Sequence, residues 1–213
     1  MLEKIDLSRE LAEAQYEQLI PQLQRRLYDL EKACWDAKIP TIIVFEGWDA
    51  AGKGTSINLL TSRLDPRGFK LYPIQAPRTY ETHLPWLWRF WLKIPNYGEM
   101  AIFDRSWYGR VLVERVEGLT PMSEWSKGYR DIVDFERTLA DDGCLIVKFF
   151  LHISQEEQKR RFKKLEGGMP VARAAISSGS PRGWIRAATK CIPSLPPRVK
   201  TRPTLTCGVS GAA

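Results

Sequence analysis

An apolar run, Ile42-Ile43-Val44-Phe45, leads directly into Glu46-Gly47-Trp48-Asp49-Ala50-Ala51-Gly52-Lys53-Gly54-Thr55, and this junction constrains the chain more than any other stretch. The run is β-branched and aromatic, the composition of a short strand. The glycines after it let successive backbone N–H groups converge on an anion at a helix N-terminus. Gly47 and Gly52-Lys53 stand at the G-x-x-x-x-G-K spacing of a phosphate loop, with Gly54 where Ser or Thr is usual and Thr55 one residue later. The expected phosphate cradle is Gly47, Ala50, Ala51, Gly52, Lys53, Gly54 and Thr55, with Lys53 supplying a mobile positive charge. The alternative is a purely structural β-to-α turn.

A chain of 213 residues suits one α/β domain with a sizeable core. No stretch approaches the ~20 apolar residues of a membrane span. Glu3, Lys4 and Asp6 leave no room for the apolar segment of a signal peptide, so a cytoplasmic location without membrane partners is expected. Cys34, Cys144, Cys191 and Cys207 lack metal-ligand spacing and are expected to be free thiols. With only His83 and His152 present, a histidine-rich metal site is not expected. The formal charge of +7 is uneven: Arg173, Arg182, Arg186, Lys190, Arg198, Lys200 and Arg202 match the whole excess, and no acidic residue follows Glu166. The preceding part is formally neutral. Its charge therefore does not suggest a nucleic-acid partner, and any anion site there must be local.

Residues 7–37 carry Leu11, Ala14, Leu19, Leu23, Leu27, Leu30 and Ala33 at near-helical spacing, with Asp6 or Ser8 as caps and Pro21 as a point of interruption. This amphipathic helix is expected to pack on the core or on a sister subunit. After a first strand over 41–46 and a helix reaching 64, residues 69–75 read as a second strand, left by Ala76-Pro77-Arg78. Loops at the carboxyl ends of parallel strands line ligand crevices, which makes Arg78 a candidate nucleotide-phosphate contact. Residues 83–93 read as a helix whose Trp86, Trp88, Phe90 and Trp91 are better suited to a core than to base stacking. Residues 99–104 form a third strand ending in Asp104, where an acid beside a phosphate loop would hold Mg²⁺; a helix cap is the other role open to it. Arg105 and Arg110 would flank that metal with fork-shaped donors, while Glu114 and Arg115 would form helix-surface pairs. A helix over 123–139, an apolar strand over 144–152 and a basic helix capped by Ser154 complete the pattern.

Strands alternating with helices, a phosphate loop after the first strand and an Asp after the third specify a phosphate-loop kinase-like α/β sandwich, with a mostly parallel central sheet and helices on both faces. Gly47-Trp48-Asp49-Ala50-Ala51-Gly52-Lys53-Gly54 together with Phe103-Asp104-Arg105-Ser106-Trp107-Tyr108-Gly109-Arg110 resembles the polyphosphate kinase 2 family, over about residues 7–165. In that family's pattern Gly54 is regular.

The resemblance implies Mg²⁺-dependent phosphoryl transfer between inorganic polyphosphate and a nucleotide, in a homo-oligomer. It implies that Lys53 cradles the transferring phosphate, that Asp49 and Asp104 organise metal and acceptor, and that Arg105 and Arg110 neutralise charge. The helix from Glu157 to Lys164 matches the start of the family's mobile lid, where Arg160 or Arg161 would close over polyphosphate. Residues 108–118 look more like members that phosphorylate AMP than those that phosphorylate ADP. The alternatives are an ATP-dependent nucleoside monophosphate kinase of the thymidylate-kinase type and an inactive, truncated phosphate-binding chain. The expected organisation is a helical segment (1–40), a kinase core with the start of the lid (41–166) and a basic Pro-, Gly- and Ser-rich tail (167–213). That tail is expected to be an aberrant reading, as a frameshift would produce, with a basic polyanion-binding arm as the alternative.

Overall fold

The computed structural model describes Asp6 and residues 11–168. Strands β1 (Thr41–Gly47), β2 (Phe69–Pro73), β3 (Met100–Asp104) and β4 (Leu145–Leu151) form one sheet, in the order β2-β3-β1-β4. All three pairings are parallel. The helices are α1 (Glu13–Asp36), α2 (Lys53–Thr61), α3 (Trp88–Trp91), α4 (Val113–Val116), α5 (Met122–Asp141) and α6 (Gln155–Gly168). The expected α/β sandwich is the observed one.

The two-residue period of β1 builds a separate core on each face of the sheet. Ile42 and Val44, with Ala101 and Phe103 of β3, pack against Phe90 and against Ile132, Phe135 and Leu139 of α5. Ile43 and Phe45, with Met100 and Ile102, pack against Ile57, Leu64 and Leu27 on the other face. A strand covered on both sides must be apolar throughout, which is why the run 42–45 does not alternate with polar residues. The register sets Phe45 opposite Asp104 and Gly47 opposite Leu151, so the loops leaving β1, β3 and β4 emerge side by side.

Several boundaries differ from expectation. Helix α1 starts at Glu13 after an uncapped Ala12, so Asp6 is not its cap, and it runs unbroken through Pro21; Ser8 lies outside the described residues. Leu27 of α1 meets the core, whereas Leu19, Leu23 and Leu30 stay exposed. Helix α2 begins at Lys53, because Gly52 supplies a left-handed residue at its N-terminus. The helix expected over 83–93 is divided: a 3₁₀ turn (Glu81–His83) is followed by extended Leu84, Pro85 and then the short α3. Pro85 forces that break, since the residue before proline disfavours the helical region. Of the four aromatics there, Phe90 is buried, and Trp91 turns its edge to Phe135 at 4.7 Å while staying partly exposed. Helix α6 continues through Gly167 and Gly168, past the boundary expected at 166. The remaining expectations for the tail lie outside the described residues. Cys34 and Cys144 are free thiols, and burial pushes Cys144 up to about 11. Among the described residues no helix is long and apolar enough to cross a membrane.

Gly47 lets β1 and β4 approach closely. Its φ is 132°, and a Cβ there would stand 2.2 Å from the backbone oxygen of Leu151. Gly47→Ala should lower stability by on the order of 3 kcal/mol, through backbone clash and a disfavoured φ together. Chemical denaturation checks this, and a loss under about 1 kcal/mol would contradict the close approach.

Candidate active site

The carboxyl ends of β1, β2 and β3 open onto a crevice with two lobes. Sequence adjacency to the phosphate loop makes the first of them: Asp49, Gly52, Lys53, Gly54 and Thr55 line a cavity of roughly 940 Å³ with Asp104, Arg105, Arg161 and Lys164. The second lobe, of roughly 730 Å³, is lined by Glu46, Trp86, Arg89, Arg110, Glu114 and Thr120 among others. Asp49, Ile74, Gln75 and Arg105 line both, so the lobes meet between the loops that follow β1, β2 and β3.

The phosphate loop holds three residues at positive φ, Gly47, Ala50 and Gly52. Lys53, at the first turn of α2, folds back over the loop and donates to the carbonyls of Gly47 and Trp48, both at 2.9 Å. Burial lowers its pKa, against the attraction of Asp49, whose carboxylate lies 3.7 Å away. Asp49 also accepts from Arg105 at 2.8 Å. Both side chains of that pair are about half exposed, so it aligns the groups more than it stabilises the fold.

Asp104 closes β3 beside the loop. Its Oδ1 is buried and has no hydrogen-bond partner among the described residues. A buried carboxylate oxygen without a donor is costly, and a cation is the partner that its chemistry suits. The capping role considered for Asp104 falls to Ser106 instead. The Ser106 hydroxyl accepts from Tyr108 N–H at the start of a 3₁₀ turn (Trp107–Arg110). No group of three or more His, Cys, Asp or Glu converges among the described residues. Mg²⁺ does not need one, because it binds through one or two carboxylates, waters and substrate phosphates. Asp104, with Asp49 nearby, fits that donor set.

Other expected residues divide. Arg161 reaches the loop, donating to Ala50 O at 3.1 Å, and Lys164 lines the same lobe. Arg160 instead points outward, with 79% of its side chain exposed and bonds to Glu157. The donors of Arg160 and Arg161 hold Glu157 down at about 2. Arg110 does not flank Asp104. It lies in the second lobe, paired with Glu114 at 2.7 Å, bonded to Thr120 and stacked on Trp86 at 5.0 Å. Its pairing partner Glu114 is therefore a wall of the lobe and not a surface residue. Arg78 is exposed and lines neither lobe; its backbone N–H donates to Glu81, while its neighbours Gln75, Ala76 and Pro77 do line the second lobe.

Sequence reasoning passed over Glu46 and Ser106. Ser106 donates to Glu46 Oε1 at 2.7 Å, linking the strand before the phosphate loop to the turn after Asp104. Burial pushes Glu46 up to about 7, against the hydrogen bond from Ser106 and the positive charges of Lys53 and Arg105. The signal was available, since Glu46 directly precedes the loop and Ser106 directly follows Asp104-Arg105. Gln158, which donates to Asp49 O at 3.0 Å, left no such signal.

The model of the Polyphosphate kinase 2 (PPK2) family matches residues 10–175, somewhat beyond the expected limit near 165. The chain belongs to the polyphosphate kinase 2 family. The polyphosphate:AMP phosphotransferase of Pseudomonas syringae pv. tomato is 44% identical over 166 residues, which are 78% of this chain and 33% of that protein. The AMP/ADP-polyphosphate phosphotransferase of Meiothermus ruber is 39% identical over 143 residues, 67% of this chain and 54% of that protein. The crystal structure of polyphosphate kinase 2 from Arthrobacter aurescens TC1 superposes with a TM-score of 0.75 at 27% identity, covering 89% of this chain and 69% of that one. The chain thus spans about a third to a half of the length of these two curated relatives.

A raised folded-state pKa at Glu46 means that the folded protein binds a proton that the unfolded chain releases. Its contribution is fully present below the ordinary carboxyl pKa of 4.5 and is lost as pH rises through about 7. Stability should therefore fall by roughly 1–3 kcal/mol over that window. Glu46→Gln should flatten the dependence in denaturation curves, and an unchanged slope would show that another group sets it.

Proposed function

We propose that this chain transfers a phosphoryl group between inorganic polyphosphate and a nucleotide with Mg²⁺, and that AMP is preferred to ADP as acceptor. The observation that carries the reading is the crevice of two lobes sharing one junction. A run of phosphates fits the lobe of backbone amides, Lys53, Arg161 and Lys164, and a nucleoside fits the lobe of Trp86, Arg110, Glu114 and Thr120. The reacting phosphate would then lie beside Asp49, Asp104 and Arg105.

Phosphoryl transfer requires alignment of attacking and leaving oxygens and stabilisation of negative charge spread over the transferring group. The loop amides and Lys53 orient the donor phosphates. Lys53 turns from the carbonyls of Gly47 and Trp48 to phosphate oxygens when these arrive, exchanging neutral acceptors for charged ones. Arg105, already aligned by Asp49, offers its guanidinium at the junction. Arg161, held against the loop by Ala50 O, offers a second guanidinium to the phosphates. Asp104 and Asp49 would hold Mg²⁺, which would supply positive charge to offset that of the phosphates. The preference for AMP rests on relatives named polyphosphate:AMP phosphotransferase and on the 108–118 stretch.

The test incubates the purified chain with polyphosphate, Mg²⁺ and AMP or ADP, with ATP as donor in a separate arm. Polyphosphate should convert AMP to ADP without ATP, faster than ADP to ATP, and omitting Mg²⁺ should abolish turnover. Lys53→Ala and Asp104→Asn should each reduce kcat by on the order of 10²–10³. No product above those variants would overturn the reading, and turnover with ATP alone would replace it with an ordinary nucleotide kinase.

A further inference from the structure

The first four residues of the phosphate loop are held from the end of β4 and the segment that follows it. Gly47 lies against Leu151 O, and Trp48 N–H donates to that same oxygen at 3.3 Å. The Trp48 indole N–H donates to His152 Nδ1 at 2.7 Å. Gln158 donates to Asp49 O, and Arg161 to Ala50 O. The Trp48 carbonyl, set by the residue that His152 holds, is one of the two oxygens on which the Lys53 ammonium rests.

We propose that His152 is a positioning residue for the phosphate loop, its Nδ1 accepting the Trp48 indole N–H and so fixing the Trp48 carbonyl that aims Lys53. An indole nitrogen only donates, so His152 must be neutral with its proton on Nε2. Protonation at Nδ1 would remove the acceptor and release Trp48. Burial lowers the pKa of His152, in keeping with an imidazole held neutral in the folded chain. Trp48 is itself buried, edge-on to Phe150 at 6.1 Å, so its indole has few alternative positions.

Charged groups on the elements joined to this pair include Glu46, Asp49 and Lys53 from β1 and the loop, Lys148 from β4, and Glu157 and Arg161 from α6. Glu46 accepts from Ser106, Asp49 from Arg105, and Glu157 from Arg160 and Arg161, while Lys53 rests on backbone carbonyls. The hydrogen bond to Trp48 is therefore the contact through which His152 acts on the loop. This assignment rests on the phosphoryl-transfer reading for its kinetic consequence, but its geometry can be read without turnover.

The experiment compares wild type, His152→Asn and His152→Ala between roughly pH 5.5 and 8, a range that spans imidazole titration. Asn offers an acceptor oxygen in place of Nδ1 and does not titrate, whereas Ala removes the acceptor. The wild-type KM for polyphosphate should rise as pH falls, with kcat changing less. His152→Asn should keep a near wild-type KM and lose that pH limb. His152→Ala should hold KM about five- to tenfold above the wild-type value at pH 8, with no pH limb, so that the two converge as pH falls, the effect of one lost neutral hydrogen bond. In a His83→Gln background, ¹⁵N NMR of the single remaining imidazole should show a proton on Nε2 and none on Nδ1. An Nδ1–H tautomer, a His152→Asn profile identical to wild type, or an unchanged KM in a folded His152→Ala would each overturn the proposal. If wild type transfers no phosphate, the functional reading fails, while the NMR tautomer still decides the Trp48–His152 contact.

Discussion

Parallel pairing of β1 with β3 on one side and β4 on the other is the constraint on which the rest depends. Because β1 is flanked on both edges, its carboxyl end is fixed relative to Asp104 and Leu151 before any side chain of the crevice is considered. The phosphate loop leaves β1 at Gly47, where only a glycine allows the backbone of β4 to approach. From there Lys53, Asp49 and the β3 acid need no long connections to meet. The two apolar cores, one per sheet face, hold this arrangement and keep the strands from slipping in register.

The electrostatics of the crevice follow from that geometry. Cationic groups gather at one end, where Lys53, Arg105, Arg161 and Lys164 line the lobe beside the phosphate loop, although the residues up to Glu166 are formally neutral. Acids are interleaved with them. Asp49 aligns Arg105, and Glu157 aligns Arg161, so the cations are oriented without being buried unpaired. Asp104 breaks this pattern, since its buried Oδ1 has no donor among the described residues. That exception falls in the phosphate-loop lobe, next to Arg105 of the junction.

Much of this could be read in advance, and the limits have physical causes. The strand-loop-helix junction at 42–55 and the Asp-Arg after β3 were legible because local backbone chemistry dictates them. What depends on long-range packing was not. Arg110 looked like a partner of Asp104 by sequence proximity, but the 3₁₀ turn over 107–110 swings it into the other lobe against Trp86. Arg160 and Arg161 were indistinguishable in the charge run until the docking of α6 turned one toward Ala50 and left the other at the surface. Pro85, plainly visible, was outweighed by aromatic spacing in predicting a helix that the structure divides. His152, isolated in sequence, gains its role from an indole 104 residues away.

In the proposed function, donor and acceptor occupy two lobes of one crevice and meet at Asp49 and Arg105. Steady-state inhibition by a bisubstrate compound, adenosine joined to a short polyphosphate chain, tests it most directly. Spanning both lobes, the compound should compete with polyphosphate and with AMP alike, and bind more tightly than either of its halves. Binding no tighter than that of the better half would contradict a shared junction.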